Sequence, residues 1–214
     1  ASSTSWTAAG SPYVLVNDVT VAAAATLTID PGVEVRIGAL RRLTVDGRLS
    51  AVGTAGQPIT FTAVGDPAPT SDVLSTALAG SWYAIFLQGG ASELAFARVR
   101  YGGWGSGANY AQIVATAGSH TIRDSIVEGG ACSGIRVSGG ATVAVLRTRV
   151  AGNDPTGSSC GTNAGNGVTV TDGTVSVVDS RLEDNGRNGI EFTLTTTFAG
   201  AASGTSARAP RRDR

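Results

Sequence analysis

The chain has 214 residues, of which 42% are hydrophobic and only 15% are charged. Sixteen basic residues balance sixteen acidic ones, and this neutrality argues against a surface built for nucleic acid or an anionic membrane. No segment approaches the ~20 consecutive apolar residues of a membrane-spanning helix, so we predict no membrane span.

The amino-terminal part repeats short alternating segments. The tripeptide at 19–21 recurs in altered form at 43–45, and the tripeptide at 33–35 recurs at 59–61. We interpret residues 1–12 as a lead-in or cap. The chain begins without methionine and without a basic-then-apolar leader, as a mature secreted protein or a trimmed chain would.

From residue 84 onward one short strand recurs at steps of 28, 22, 33 and 22 residues. A second recurrence follows each of these strands and ends in glycine or asparagine, so the basic unit has about 22 residues and the longer steps carry insertions. Within a unit, apolar residues alternate with polar ones, as in short strands joined by tight turns. The apolar residues that open the strand are Ile85, Ile113, Ile135, Val168 and Ile190.

A unit of this length is too short for a propeller blade of ~40–45 residues but matches one turn of a solenoid. Successive coils would stack at the ~4.8 Å spacing of neighbouring strands. The sequence therefore predicts an all-β fold: a right-handed parallel β-helix solenoid of roughly seven coils over residues 1–197. In such a fold Ile113, Ile135, Val168 and Ile190 form a single buried row.

The repeat motifs resemble those of bacterial secreted right-handed β-helix proteins of the pectin-lyase-like family. The motifs are Leu-Thr-Ile-Asp-Pro-Gly-Val at 27–33, Leu-Thr-Val-Asp-Gly-Arg-Leu at 43–49, and the Asn-Gly-Val and Asn-Gly-Ile units at Asn166 and Asn188. The resemblance covers roughly residues 6 to 193 and implies an extracellular or cell-surface location. The family includes lyases, hydrolases, adhesins and surface modules, so the fold alone implies no particular activity.

Three inserted segments, 64–80, 102–108 and 151–165, each follow the third strand of one coil and precede the first strand of the next. We therefore expect them to gather beside the first-strand sheet, where related enzymes have a glycan groove. The outward residues of this sheet form two columns. One column reads Phe86, Val114, Arg136, Thr169 and Glu191, and its neighbour reads Gln88, Thr116, Ser138, Thr171 and Thr193.

These columns and the aromatic residues of the insertions supply the candidate site. Aromatic rings at 82, 83, 101, 104 and 110 either stack on sugar rings or fill the corners of the solenoid, and Trp104 is the best candidate for ligand contact. The candidate ligand-binding residues are Phe86, Gln88, Trp104, Tyr110, Arg136, Thr169 and Glu191.

Catalytic chemistry has little support in the sequence. Glycosidases need two carboxyl groups roughly 5–10 Å apart, and the outward column supplies only Glu191. Related lyases pair an arginine base with a calcium site built from several carboxylates, whereas Arg136 has no acidic cluster near it in sequence. Arg136 and Glu191 are thus candidates, and we assign neither. We expect His120, the only histidine, to be an ordinary surface residue.

Calcium is the one cofactor for which the sequence offers candidate ligands. Asp66, Asp72 and Asp154 lie in inserted segments, where aspartates either bind Ca²⁺ or make Asx turns, and we assign no cofactor. Cys132 precedes the strand of one coil, and Cys160, the only other cysteine, lies in the insertion that leads to the next. We predict a disulfide that pins the inserted loop, the alternative being two isolated buried thiols.

The end of the chain loses the repeat pattern. We predict that residues 198–214 form a disordered tail, as in a truncated reading frame or one module of a longer protein with further domains. The leading functional hypothesis is a non-catalytic extracellular module for surface display or weak polysaccharide binding. The alternative is a polysaccharide lyase or glycoside hydrolase, incomplete at its carboxyl end.

Overall fold

A computed structural model describes residues 2–75, 78–105, 111–154, 165–193, 202–203 and 206–207. The chain winds into a right-handed parallel β-helix whose coils each contribute one strand to three parallel sheets, which we call A, B and C in chain order. Seven coils have all three strands, so the predicted fold and coil number are confirmed.

Sheet A consists of Thr4–Trp6, Thr26–Ile29, Arg48–Val52, Glu93–Ala95, Ser119–Arg123, Ala141–Leu146, Gly173–Val178 and Ala202–Ser203. Sheet B consists of Tyr13–Leu15, Glu34–Ile37, Ile59–Ala63, Ala97–Arg100, Ile126–Glu128, Arg149–Ala151, Arg181–Glu183 and Ser206–Ala207. Sheet C consists of Val19–Val21, Leu43–Val45, Ile85–Leu87, Ala111–Ala115, Ser133–Val137, Val168–Val170 and Ile190–Phe192. A 3-10 turn spans Ala8–Gly10, and the described ranges contain no helix long and apolar enough to cross a membrane.

The core consists of apolar rows that run along the solenoid axis. In sheet C, Ile113 pairs with Ile135, Ile135 with Val168, and Val168 with Ile190, which confirms the predicted row. The first three are at most 1% exposed, and Ile190 at the end of the row is half-buried but packs on the same core. Alternation along each strand therefore directs one side chain inward and the next outward.

The corner between sheets A and B repeats in four successive coils. One residue of each corner adopts a left-handed backbone. In three of the four coils the next residue is a serine or threonine whose hydroxyl accepts an N–H from the preceding coil. Ser125 N donates to Thr148 Oγ1 (3.3 Å), and Thr148 N donates to Ser180 Oγ (3.1 Å). The left-handed residues are Phe96, Asp124, Arg147 and Asp179, with φ of 47°, 51°, 45° and 51°.

A buried amide ladder occupies the corner after sheet B. Asn153 Nδ2 donates to Asn185 Oδ1 (2.9 Å), and Asn153 Oδ1 accepts from Gln112 Nε2 (2.8 Å) and from Gly130 N (3.1 Å). Gly130 leaves room for this arrangement, because a Cβ there would lie 2.6 Å from Gln112 Cγ. The ladder satisfies polar groups that would otherwise be buried without partners.

Where they are described, the inserted segments follow the B strands and precede the C strands, as predicted. Most of residues 198–214, the predicted disordered tail, lies outside the described residues. The two short strands described there, Ala202–Ser203 and Ser206–Ala207, extend sheets A and B.

Candidate functional site

A groove of about 410 Å³ lies on the outer face of sheet C. Its lining combines aromatic, cationic, amide and hydroxyl side chains from the third, fourth and fifth coils. One further residue precedes the sheet C strand of the second coil. The lining residues are Arg42, Tyr83, Phe86, Gln88, Val114, Thr116, Arg136 and Ser138.

The strand register explains why these residues meet. Val114 pairs with Phe86 on one side and with Arg136 on the other, so the three form one outward column. Neighbouring strands are about 4.8 Å apart, and the column from Phe86 to Arg136 therefore spans about 10 Å along the axis. The groove runs across coils rather than along a single strand.

An aromatic pair stands at one side of the groove. The rings of Tyr83 and Trp104 meet edge to face with their centroids 5.1 Å apart, and Trp104 is 43% exposed. The guanidinium of Arg42 lies 5.6 Å from the Tyr83 ring centroid, and Arg42 Nε donates to Asp18 Oδ2 (2.9 Å). These contacts hold Tyr83 between a cation and a second ring.

Arg136 brings a largely buried cation to the groove. The residue is only 7% exposed, and this burial lowers the pKa of its guanidinium. The guanidinium nevertheless remains protonated near neutral pH, because arginine titrates far above that range. The groove lining therefore contains the cations Arg42 and Arg136, and none of its lining residues is a carboxylate.

The other predicted ligand residues are placed differently. Thr169 is 2% exposed, and its hydroxyl is engaged by Ser133 Oγ (3.0 Å) and Asn166 Nδ2 (3.1 Å). Glu191 lies two strands beyond Arg136, roughly 10 Å away by strand spacing, and accepts from Asn188 Nδ2 (3.2 Å). Tyr110 lies outside the described residues.

The candidate calcium ligands Asp66 and Asp72 face arginines. Asp66 Oδ2 accepts from Thr62 Oγ1 (2.6 Å) and lies 3.7 Å from Arg100 Nη1. Asp72 Oδ1 accepts from Arg98 Nη2 (2.6 Å), and this hydrogen bond lowers the pKa of Asp72. The residues that the structure describes contain no group of three or more His, Cys, Asp or Glu that could hold a metal ion.

The third candidate ligand, Asp154, is 2% exposed and adopts a left-handed backbone with φ of 51°. Its backbone N–H donates to Gly130 O (2.7 Å) of the preceding coil. This hydrogen bond joins the turns of two stacked coils.

Part of the first inserted segment covers sheet B rather than sheet C. Arg100, which is 0% exposed, donates from Nη1 to the carbonyl oxygens of Ala68 (3.1 Å) and Ser71 (3.0 Å), and from Nη2 to that of Val73 (3.2 Å). The rigid fork of the guanidinium suits several carbonyl acceptors at once. This segment therefore packs over the arginines of sheet B and leaves the groove on sheet C open.

Our expectation for His120 was wrong. His120 is 3% exposed, because strand Ser119–Arg123 directs its second and fourth residues inward. The register pairs His120 with Val143 of the next coil. The sequence-based expectation of a surface residue missed the alternation along this strand, which buries His120.

The predicted disulfide falls partly on the described residues. Cys132 is 0% exposed and disulfide-bonded. Cys160, the only other cysteine of the chain, lies outside the described residues, so its pairing with Cys132 stays a prediction.

Among the aromatic residues, Trp82 and Tyr101 belong to the core. They are 0% and 1% exposed, and Trp82 Nε1 donates to Arg100 O (3.0 Å). Tyr101 Oη accepts from Ser75 N (3.0 Å) and from Arg100 Nη2 (3.0 Å). The candidates for ligand stacking near the groove are therefore Tyr83, Phe86 and Trp104.

Two groove residues were missing from the predicted ligand set, Arg42 and Tyr83. Arg42 precedes Leu43, and Leu43 pairs with Ile85 across the inserted segment 64–80. This insertion hides the repeat, so the sequence offered no sign that residue 42 lies beside residues 83 and 84. Tyr83 was noted as an aromatic at a coil boundary, a position equally consistent with packing.

Comparison of the chain with protein-family models, with curated proteins and with solved structures found no match. The likeness to pectin-lyase-like proteins therefore depends on the repeat motifs described above.

Proposed function

We propose that this protein is a non-catalytic extracellular β-helix module, of the pectin-lyase-like kind found in bacteria, that binds polysaccharide through the groove on sheet C. The observation that carries the proposal is the lining of this groove, where aromatic rings, two arginines and a column of amide and hydroxyl groups face one open channel. Weak binding of this kind would suit surface display or attachment to a glycan matrix.

The chemistry of the lining matches a sugar chain. Sugar rings have apolar C–H faces that pack on aromatic side chains, and Tyr83, Phe86 and Trp104 provide such surfaces. Hydroxyl groups at the ring edges need donors and acceptors, and the column of Gln88, Thr116 and Ser138 provides both. A groove that crosses several coils also lets a long chain continue beyond it.

Retention on polysaccharides tests the proposal. We expect the protein to be retarded on at least one member of a panel of insoluble neutral glycans and uronate gels, with and without Ca²⁺. Trp104→Ala and Arg136→Ala should each weaken retention about fivefold or more, as expected when a contact worth ~1 kcal/mol or more is removed.

Matched controls come from the outer face of sheet A. Thr142 and Arg48 are exposed there, on strands of sheet A, and neither lines the groove, so Thr142→Ala and Arg48→Ala should leave retention unchanged. Because Arg136 is largely buried, unfolding midpoints must show that its variant is folded, and Trp104→Ala gives an independent result at an exposed position. Equal retention of the groove variants and the controls, or no retention on any glycan, would overturn the proposal.

One observation favours the alternative of a polysaccharide lyase: Arg136, the candidate arginine base, lines the groove on sheet C, and its burial lowers the pKa of the guanidinium. A glycoside hydrolase has less support, because the only carboxylate of the outward column, Glu191, lies outside the groove lining. Release of unsaturated products from uronate glycans by the native protein, lost in Arg136→Ala, would replace the binding proposal by the enzymatic one.

A further inference from the structure

Three Asn-Gly dipeptides lie close together in the last two coils: Asn166–Gly167, Asn185–Gly186 and Asn188–Gly189. In such a dipeptide the glycine nitrogen attacks Cγ of the asparagine side chain. A C–N bond forms, the bond from Cγ to the side-chain nitrogen breaks, and ammonia leaves. Water then opens the cyclic imide at either carbonyl and yields aspartate or isoaspartate. The reaction requires a glycine nitrogen that is free to attack and a side chain free to turn toward it.

Two of the three dipeptides are locked by hydrogen bonds. Gly167 N donates to Asn188 O (2.9 Å) and Gly186 N donates to Asn153 O (2.8 Å), so both attacking nitrogens are engaged. The side chains are locked as well. Asn185 Nδ2 donates to Val150 O (3.0 Å), and Asn166 Nδ2 donates to Thr169 Oγ1 (3.1 Å). Asn166 and Asn185 are 0% and 2% exposed.

The third dipeptide lies beside the edge of sheet C. Gly134 and Gly167 each donate their N–H to a carbonyl of the following coil, but Ile190–Phe192 is the last strand of sheet C among the described residues. Gly189 N accordingly donates to no residue within the described ranges. Asn188 is exposed, and its side-chain nitrogen donates an exposed hydrogen bond to Glu191 Oε2 (3.2 Å), the one partner it has among the described residues.

From this difference we infer that Asn188 is a site of spontaneous deamidation in the folded protein, whereas Asn166 and Asn185 are protected. The same chemistry is available at all three positions, and hydrogen bonding and burial distinguish them. The inference concerns the carboxyl-terminal coil and does not depend on the proposed glycan groove.

Deamidation would alter the contacts of this coil. Asn188 Nδ2 donates to Glu191 Oε2, so the aspartate product would bring a second carboxylate against Glu191, and two like charges at this distance repel. The isoaspartate product adds a backbone methylene just before Ile190–Phe192, which would disturb the register of this strand on Val168–Val170. Both products should loosen the coil.

Peptide mapping by mass spectrometry tests the inference on the intact folded chain. Cleavage after Arg149, Arg181 and Arg187 separates the three dipeptides into different tryptic peptides. After incubation of the folded protein at mildly alkaline pH, we expect amide-to-acid conversion at Asn188 at least about tenfold faster than at Asn166 or Asn185, whose reaction first requires the opening of a buried coil. Fragmentation that distinguishes aspartate from isoaspartate should find both products.

Two controls make the result decisive. The same chain incubated in denaturant should react at all three positions at comparable rates, because unfolding removes the hydrogen bonds that distinguish them. The Asn188→Gln variant should remove the fast conversion while Asn166 and Asn185 stay unreactive in the folded state. Conversion of Asn188 in the folded protein as slow as that of the two buried residues, or equal conversion of all three, would overturn the inference.

Discussion

His120 shows how a single buried residue ties stability to pH. Its Nδ1 accepts from Ser92 N (3.2 Å), and its Nε2 lies 2.7 Å from the carbonyl oxygen of Ala117. One neutral tautomer, with the proton on Nε2, satisfies both partners. Protonation of Nδ1 would place its new N–H against the N–H of Ser92, and burial in addition lowers the pKa of His120 below its ordinary value of 6.5.

We therefore expect the free energy of unfolding to fall as the pH is lowered below about 6.5. The unfolded chain takes up a proton near the ordinary histidine pKa, whereas the folded chain takes it up only at lower pH, so acid favours unfolding across this window. The slope is at most about 1.4 kcal/mol per pH unit for one group. Denaturant titrations across ~pH 5–8, the range in which histidine changes charge, measure this slope.

The control is simple because His120 is the only histidine of the chain. His120→Gln should abolish most of this pH dependence while leaving the carboxylate titration at lower pH in place. An unchanged slope in the variant would mean that another group, and not the buried imidazole, carries the effect.

At the scale of elements, the amide ladder after sheet B joins neighbouring coils through buried hydrogen bonds. The apolar core could not supply partners for these polar groups. Asn153 is 0% exposed and lies at the centre of the ladder, bonded to Gln112, to Asn185 and to Gly130 N. Loss of its side chain would leave the buried N–H of Gly130 without its acceptor and would remove one hydrogen bond each from Gln112 Nε2 and Asn185 Oδ1. An unsatisfied buried donor costs more than the hydrogen bond itself is worth.

We expect Asn153→Ala to lower the free energy of unfolding by about 3 kcal/mol, the cost of leaving buried polar groups unsatisfied in a connected network. Chemical denaturation followed by circular dichroism gives this value. The same substitution at Asn17, an exposed residue, should change stability by less than about 0.5 kcal/mol. A small effect at both positions would show that the ladder contributes little to stability.

The sequence predicted the strands better than the corners, for a physical reason. Alternation of apolar residues reports burial directly, so the row from Ile113 to Ile190 was predictable. The amide ladder was not predictable from the sequence. Gln112 lies on a strand and occupies the space left by Gly130, and the two residues are neighbours only in the folded chain. Likewise, the burial of Thr169 comes from Ser133 and Asn166, which no local pattern associates with it.

At the scale of the molecule, a solenoid is a stack in which each coil contacts only its neighbours, and stability is the sum of coil and interface contributions. A coil in the middle has two such interfaces, whereas a coil at an end of the stack has fewer. The inward residues follow this rule. Ile135 and Val137 in the fifth coil are 0% exposed, but Phe192, the counterpart of Val170 in the seventh, is 39% exposed.

Amide hydrogen exchange should therefore be graded along the axis. We expect amides of Ile190–Phe192 in sheet C to exchange about tenfold or more faster than those of Ser133–Val137, a ratio that corresponds to ~1.4 kcal/mol in opening free energy. The first strand of the same sheet, Val19–Val21, provides a second comparison, because Val19 is only half-buried. Proteolytic peptides analysed by mass spectrometry resolve these three strands. Uniform protection from end to end would mean that the coils open together as one cooperative unit, and the nearest-neighbour description of this solenoid would then fail.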